Sequence, residues 1–227
     1  FVDVTQDVGL SFTHDPNRNN FFMPAIMASG GGFLDFDADS DLDILLLATR
    51  FENNSQVIHS TLFRQEPDGK FSVVEKSGLD GEGFAMGLVT GDFDNDGFVD
   101  VYISQYGPDR LYRNLGDGKF EDVTTKAGIS NATWSASGTV LDFDRDGFLD
   151  VYITNYLRYD EDVGCSDQAG TRDYCGPGSF SGVADVLYRN RGDFTFEDVS
   201  ERTGISSIHA KGLGVVSADF NGDYLPD

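Results

Sequence analysis

Residues 92–100 read DFDNDGFVD, and this nonapeptide decides the fold because it recurs along the chain. Acidic residues occupy positions 1, 3, 5 and 9, while apolar residues occupy positions 2 and 8. On an extended or curling backbone this odd spacing brings alternate side chains to one centre and turns the apolar pair away from it. Three further copies share this pattern. One precedes it, DFDADSDLD at 35–43, and two follow it, DFDRDGFLD at 142–150 and DFNGDYLPD at 219–227.

The segments around the acidic loops also repeat in a constant order. A Gly-rich segment precedes each loop, and three loops are followed by alternating segments, DILLLAT, DVYISQY and DVYITNY. Next come LFRQ or LYRN, a tight turn, and then FSVVEKSGL, FEDVTTKAGI or FEDVSERTGI. These segments are short, rich in β-branched and aromatic residues, and bounded by Gly and Asp. Asp-Gly pairs at 68–69 and 117–118 predict hairpins with type I′ turns.

About four short strands per repeat of roughly 50 residues is the pattern of a propeller blade. We therefore predict an all-β fold, a β-propeller of four-stranded blades. Residues 1–227 would form part of one propeller, with about four blades or part-blades. The chain ends at position 9 of the fourth loop, so we expect it to be a piece of a longer protein.

The acidic loops have the chemistry of calcium sites. Several carboxylates that converge without a cation would repel each other, and hard oxygen ligands in this number suit Ca²⁺. Zn²⁺ is disfavoured because the loops contain no His or Cys, and Mg²⁺ prefers to keep several waters. Gly97 and Gly147 at position 6 would supply a positive φ, whereas Ser40 and Tyr224 depart from this pattern. Position 7 would contribute a backbone carbonyl, from Asp41, Phe98, Phe148 and Leu225.

Two other kinds of acidic loop share part of this pattern. An EF-hand needs a bidentate Glu at position 12 and flanking helices. Position 12 here is Leu46, Ile103 or Ile153, and the flanking segments have strand patterns, so the EF-hand is excluded. The remaining alternative is a set of solvated acidic turns, which four ordered copies disfavour.

Composition limits the partners and the compartment. Lys and Arg total 16 against 39 Asp and Glu, a formal net charge of −23, which argues against nucleic acid or an anionic membrane. Aromatic residues make up 13% of the chain, enough to form a core. No apolar run approaches the ~18 residues of a membrane span. Cys165 and Cys175 predict a disulfide, and hence an oxidising compartment, within an insertion at about 158–182; the alternative is two reduced thiols.

With these motifs in place, the chain resembles the FG-GAP/VCBS repeat family, in its ASPIC/UnbV and cartilage-acidic-protein branch. The resemblance rests on FVDVTQDVGLSFTHD, MPAIMASGGGFLDFDAD and CGPGSFSGVADVLYRNRGDFTFEDVS, and it spans essentially the whole chain. It implies a seven-bladed propeller in the full protein, with a calcium loop between the first two strands of a blade. Ala25 departs from the pattern, because relatives often carry an acid after the Pro.

The resemblance also implies three to four Ca²⁺ ions and a set of side-chain ligands for each loop. The ligands share positions 1, 3, 5 and 9 of the nonapeptide, with Asn replacing one carboxylate in the fourth loop. They are Asp35, Asp37, Asp39 and Asp43; Asp92, Asp94, Asp96 and Asp100; Asp142, Asp144, Asp146 and Asp150; and Asp219, Asn221, Asp223 and Asp227.

Other short motifs have simpler interpretations. Arg191-Gly192-Asp193 spells an integrin-recognition tripeptide, but it aligns with the turn at 115–117 and is predicted to be a repeat turn. Asn53-Asn54-Ser55 and Asn131-Ala132-Thr133 match the glycosylation sequon, a pattern common by chance. Surface or packing roles are expected for four isolated residues, His14, His59, His209 and Trp134.

Three functions fit these features. The first is a secreted, cell-surface or periplasmic interaction module, of the cell-adhesion type, whose propeller face binds a protein or glycan while calcium rigidifies the blades. The second is a carbohydrate-active enzyme resembling a polysaccharide lyase, which would need a His or Tyr base beside a charge-neutralising Arg. The third is an architectural part of a larger assembly. No catalytic motif is recognisable in the sequence, which favours the first.

Overall fold

The structure is a computed structural model that describes residues 1–14, 21–27, 29–48, 60–79, 81 and 83–227. Its main elements are three four-stranded antiparallel sheets, as predicted for propeller blades. The first sheet holds β1 (Gly31–Leu34), β2 (Asp43–Leu46), β3 (Thr61–Gln65) and β4 (Phe71–Val73). The second holds β5 (Phe84–Gly91), β6 (Asp100–Tyr106), β7 (Arg110–Asn114) and β8 (Phe120–Asp122). The third holds β9 (Ser135–Leu141), β10 (Asp150–Asn155), β14 (Val186–Asn190) and β15 (Phe196–Asp198).

The remaining elements are short. Two small ladders join β11 (Cys165–Ser166) to β12 (Arg172–Asp173), and β13 (Val183–Ala184) to β16 (His209–Ala210). The α-helices are α1 (Met23–Met27), α2 (Thr124–Ala127) and α3 (Ser200–Thr203), and 3₁₀ turns lie at Pro177–Ser179 and Ile205–Ser207. No helix in the described part of the chain is both long and apolar enough to cross a membrane.

Each sheet is a simple meander in which the acidic loop joins the first strand to the second. The loop at 92–100 lies between β5 and β6, whose register pairs Gly91 with Asp100, and the first and third loops occupy the same place. Along β6, Val101 and Ile103 face the first sheet, whereas Tyr102 faces the third. This alternation follows from the two-residue period of a strand buried on both faces.

The cores lie between adjacent sheets. Phe36 at loop position 2 is fully buried between the first and second sheets, together with Leu45, Tyr112 and Phe120. Phe93, its counterpart, is buried between the second and third sheets and contacts Phe196 edge-on at 5.7 Å. Burial of one such side chain contributes about 2–3 kcal/mol. In the first two loops the apolar residue at position 2 therefore joins the acidic loop to the next blade.

A glycine at the end of an outer segment sets the distance to a neighbouring segment in three of the four repeats, at Gly9, Gly78 and Gly128. Gly78 has φ +85°, and a Cβ placed on it would lie 2.2 Å from the Phe120 carbonyl oxygen of the next sheet. The Phe120 amide donates to the Ser77 carbonyl at 2.7 Å. Gly9 has the same relation to Phe71, with φ +84° and a distance of 2.6 Å. Only a residue without a Cβ permits this approach and this φ at once.

In each sheet, a polar side chain just before the third strand accepts a hydrogen bond from a backbone amide at or just after the end of the second strand. The amide of Gln105 donates to Asp109 at 3.0 Å, and the amide of Asn155 donates to Asp185 at 2.8 Å. In the first sheet Ser60 replaces the aspartate and accepts from Ala48 at 3.2 Å. Burial raises the pKa of Asp109 to about 7, although Tyr102, Ser135, Gln105 and Asn131 all donate hydrogen bonds to it.

The predicted disulfide between Cys165 and Cys175 is present, with an S–S distance of 2.03 Å. It lies in the insertion after β10, which packs on a cluster containing Met23, Trp134, Tyr156 and Phe180. Trp134 contacts the rings of Tyr106 and Tyr156 edge-on and is only 2% exposed. The expectation of a packing role for Trp134 is therefore confirmed.

Two segments that resemble parts of the repeat form no strand, and one expectation, the type I′ turns, was wrong. Residues 1–5 form no strand, because the described residues offer them no ladder partner; the hydrogen bond from Val8 to the Val4 carbonyl instead mirrors that from Ala127 to Val123 at α2. Residues 211–227 likewise contain no strand. In the turns at 68–69 and 117–118 only the glycine has a positive φ, so these are not type I′ turns.

Candidate metal centre

The first aspartate of each loop organises the loop backbone. Asp92 accepts from the amide of Asp96 at 3.0 Å through one carboxylate oxygen and from that of Gly97 at 2.9 Å through the other. Asp35, Asp142 and Asp219 accept from positions 5 and 6 in the same way. The position-5 aspartate in turn accepts from the amide at position 7 in all four loops. These bonds curl nine residues around a common centre.

The last aspartate anchors the loop in the sheet. Asp43, Asp100 and Asp150 are fully buried. Asp100 accepts from the amide of Phe93 at 2.9 Å and from that of Asn114 on β7 at 2.8 Å. Asp43 and Asp150 make the equivalent pairs of bonds. Position 9 therefore joins the loop to the third strand of its own blade.

Carboxylate oxygens converge in three of the loops. In each group the oxygens lie within 4.8 Å of one another, and the groups are Asp35, Asp37 and Asp39; Asp92, Asp94 and Asp96; and Asp142, Asp144 and Asp150. Oδ1 of Asp37 and Oδ1 of Asp94 are buried and have no hydrogen-bond partner among the described residues. A buried, unpartnered carboxylate oxygen facing other carboxylates fits a divalent cation bound by oxygen ligands.

The electrostatics of the loops are unfavourable without a counter-ion. Burial, with a contribution from neighbouring aspartates, raises the pKa of Asp100 to about 7 and that of Asp150 to about 6. Burial also raises the pKa of Asp43 and Asp94. The sheets thus hold acidic groups where ionisation is costly unless positive charge is nearby.

The backbone turns twice within each loop. Position 6 has a positive φ in all four loops, including the two departures, Ser40 at 73° and Tyr224 at 65°. Position 4 also has a positive φ, at Ala38, Asn95, Arg145 and Gly222. The second turn was not predicted, since the residue types at position 4 share no preference for this conformation.

The LFRQ and LYRN segments supply groups to the loops that the sequence analysis missed. Arg113 on β7 pairs with Asp94 at 2.5 Å and with Asp96 at 3.1 Å. Asn114 is buried, and its side-chain amide donates to the carbonyls of Phe36 in the previous loop at 2.7 Å and of Val99 in its own loop at 3.1 Å. The recurrence of RN after an aromatic residue was the signal that could have found them.

The fourth loop adopts the same backbone arrangement without a sheet around it. Its Phe220 amide donates to Asp227 at 2.9 Å, which matches Phe93 and Asp100. Phe220 is 69% exposed, whereas Phe36 and Phe93 are fully buried. Within the described residues its acids do not form a converging group of the kind found in the other three loops.

The tripeptide, one of the two glycosylation sequons and two of the three histidines fall within the described residues. Arg191-Gly192-Asp193 is a repeat turn, since Arg191 donates to the Thr195 carbonyl at 2.9 Å as Leu115 does to Lys119. The side-chain nitrogen of Asn131 is buried and donates to Asp109, Ser135 and Asn155, so it is inaccessible to glycosylation in the folded chain. His14 and His209 are exposed. His59 and the sequon at 53–55 lie outside the described residues.

Comparison with known proteins agrees with this geometry. The profile of the FG-GAP-like repeat matches residues 35–103 and 92–153, and each span contains two acidic loops. The chain belongs to the FG-GAP-like repeat family. This assignment confirms the resemblance inferred from the repeated nonapeptide.

Two individual proteins are also similar. Cartilage acidic protein 1 of Xenopus tropicalis is 24% identical over 285 aligned residues, which include all of this chain and 42% of the relative. This match is consistent with the predicted branch of the family, and the chain spans less than half of that relative's length. A solved lectin of Agrocybe aegerita that recognises non-reducing terminal N-acetylglucosamine aligns with a TM-score of 0.36 and 14% identity, over 76% of this chain and 51% of the lectin.

Proposed function

We propose that the acidic loops bind structural Ca²⁺, three to four ions in residues 1–227. The observation that carries this proposal is the pair of buried, unpartnered oxygens on Asp37 and Asp94, each within a converging group of carboxylates. Side chains at positions 1, 3, 5 and 9 and the carbonyl at position 7 would hold the ion. Oxygen ligands alone favour Ca²⁺ over Zn²⁺, and the number of carboxylates favours it over Mg²⁺.

Bound calcium would stabilise the blades because the loops connect the first two strands of each sheet. With the affinity of about 10⁻⁴ M common in extracellular modules, 1 mM calcium would contribute about 1.4 kcal/mol per site. The sum over several sites approaches the stability of an ordinary domain. We therefore assign the ions a structural rather than a catalytic role.

Calcium stoichiometry tests the site assignment. We expect equilibrium dialysis to find three to four ions in the wild type and one fewer in Asp94→Asn, because the amide keeps the shape of the side chain but removes its charge. Asp117→Asn is the matched control, since Asp117 is an exposed acid on the turn after β7. Fewer than two ions in the wild type, or an unchanged count in Asp94→Asn, would contradict the assignment.

The protein function that fits such a calcium-stabilised propeller best is an extracellular interaction module for a protein or glycan, acting alone or within a larger assembly. The disulfide supports an oxidising compartment. The net charge of −23 argues against nucleic acid as the partner. Binding to panels of immobilised glycans and of extracellular proteins, in calcium and in EDTA, tests this proposal; no calcium-dependent ligand in either panel would count against it.

The alternative function is a polysaccharide-lyase-like enzyme. A cavity of about 400 Å³ is lined by Tyr106, Trp134, Tyr159 and Arg158, so it brings a tyrosine near an arginine. Burial, with a contribution from Glu161, raises the pKa of Tyr106 to about 12, which makes it a poor base at neutral pH. This observation disfavours the enzyme. Turnover of any uronic-acid polymer, detected as new unsaturated ends, would reverse that preference.

A further inference from the structure

Each of the three sheets carries one arginine that reaches from its third strand to its own acidic loop. Arg64 on β3 pairs with Asp37 at 2.6 Å, and Arg113 on β7 pairs with Asp94 at 2.5 Å. Arg189 on β14 pairs with Asp144 and, at 2.9 Å, with Asp146. The partner always includes the position-3 aspartate. An incidental surface ion pair would not recur at the same position in three repeats.

The two oxygens of the position-3 carboxylate differ in their surroundings. In Asp37 and Asp94, Oδ2 contacts the guanidinium, whereas Oδ1 is buried without a hydrogen-bond partner among the described residues. The arginine therefore fixes the carboxylate by one oxygen and leaves the other without a partner, in a loop whose carboxylate oxygens converge to within 4.8 Å of one another. This is the arrangement by which outer partners orient a metal ligand.

We propose that Arg64, Arg113 and Arg189 are positioning residues for the calcium sites, each holding the position-3 carboxylate so that its second oxygen faces the ion. The proposal rests on the proposed calcium binding. A guanidinium suits this role because it is planar and offers several donors in fixed directions. Arg189 uses two nitrogens, Nε and Nη2, for the aspartates at positions 3 and 5, whereas Arg113 holds both of its aspartates through Nη2.

Further contacts restrict the guanidinium groups. Arg113 lies over the ring of Phe194, in the turn between β14 and β15 of the next sheet, at 5.7 Å from the ring centre. Arg64 lies over the ring of Phe36, at 5.5 Å. Because Arg64 and Arg113 extend from paired strands and rest on aromatic rings, their charges stay at a fixed place beside their loops.

Two effects of the arginines on calcium affinity oppose each other. Their positive charge repels the ion, but their side chains are 31–43% exposed, so water and salt screen this repulsion. Orientation acts directly on a ligand of the ion and is not screened in this way. Removal of the arginines is therefore expected to weaken calcium binding.

The test uses the whole chain and Ca²⁺ itself. We expect Arg64→Met/Arg113→Met/Arg189→Met to lower calcium affinity about tenfold or more in competition with a chromophoric chelator. The Arg→Lys triple variant should recover part of the affinity, since an ammonium still pairs with Oδ2. The control, Arg110→Met/Arg158→Met/Arg191→Met, removes the same charge, but Arg110 and Arg191 pair with Asp122 and Glu197 on outer strands, and Arg158 lies in the insertion.

The outcomes separate this proposal from the proposed function. A tenfold loss in the Met variant, partial recovery with Lys and no change in the control support the positioning role. Wild-type affinity, or tighter binding, in the Met variant overturns that role while calcium binding itself stands. Absence of calcium binding in the wild type overturns both. Fluorescence of the buried Trp134 at saturating calcium shows whether each variant has kept its fold.

Discussion

Replacement of Asn190 by alanine is expected to lower the free energy of unfolding by about 3 kcal/mol or more. The side-chain amide of this fully buried residue donates to the carbonyl oxygens of Phe93 at 2.8 Å and Leu149 at 3.1 Å, and its oxygen accepts from Gly192 at 3.0 Å. Alanine would leave three groups without partners, each at a cost of about 1 kcal/mol or more. The bonds connect two successive acidic loops, so the loss weakens the junction between blades.

Urea unfolding in saturating calcium measures this effect. Asn95→Ala is the matched control, because Asn95 is exposed and makes one bond of 3.2 Å to the Gly147 carbonyl. We expect the control to lose about 1 kcal/mol, because Asn95 makes one exposed bond and its left-handed φ of 56° suits asparagine better than alanine. Equal stabilities of the two variants would show that the buried asparagine does not hold the blades together. Asn114→Ala, the counterpart one blade earlier, should reproduce the Asn190→Ala result.

The second large effect is expected at the glycines between blades. Gly78 and Gly204 have the same φ of +85°, but a Cβ at Gly78 would lie 2.2 Å from the Phe120 carbonyl oxygen, whereas Gly204 has nothing within 4 Å. Alanine at Gly204 should cost about 1–2 kcal/mol, for the left-handed backbone alone. Alanine at Gly78 should cost about 1–3 kcal/mol more, because the next blade must shift.

A graded series makes this prediction sharper. The distance from the added Cβ to the next carbonyl oxygen is 3.0 Å at Gly128, 2.6 Å at Gly9 and 2.2 Å at Gly78. We expect the loss of stability on substitution by alanine to increase in the order Gly204, Gly128, Gly9, Gly78. If all four variants lose the same amount, backbone strain alone explains the glycines, and close packing of the blades is not the reason for them.

The blades could be predicted from the sequence because the pattern repeats. The nonapeptide recurs with its flanking strand patterns, so the same strand and turn preferences support the prediction in several repeats. The three sheets form at the positions that the repeats predict. The position-9 aspartates were predicted only as ligands of the loops, and their complete burial was not foreseen. Their bonds to β3, β7 and β14 could not be predicted, because they depend on how strands distant in sequence pair.

The remaining features depend on three-dimensional context. Residues 1–5 resemble Phe120–Val123 in sequence, but a strand needs a partner, and the described residues supply none. The arginines and asparagines of LFRQ and LYRN looked like ordinary surface residues of a strand. Their role appears only when the third strand lies beside the acidic loop. The positive φ at position 4 was hidden because Ala38, Asn95, Arg145 and Gly222 share no chemical property.

The most direct test of the central claim, that calcium ions hold the acidic loops and through them the blades, is thermal unfolding in 1 mM Ca²⁺ and in EDTA, with Mg²⁺ as control. Three to four sites at about 1.4 kcal/mol each, with about 2–4 °C per kcal/mol for a chain of this size, predict a rise in melting temperature of about 10–20 °C in calcium. Mg²⁺ should give a much smaller rise, because it keeps its waters. The same melting temperature in calcium and in EDTA would contradict the claim.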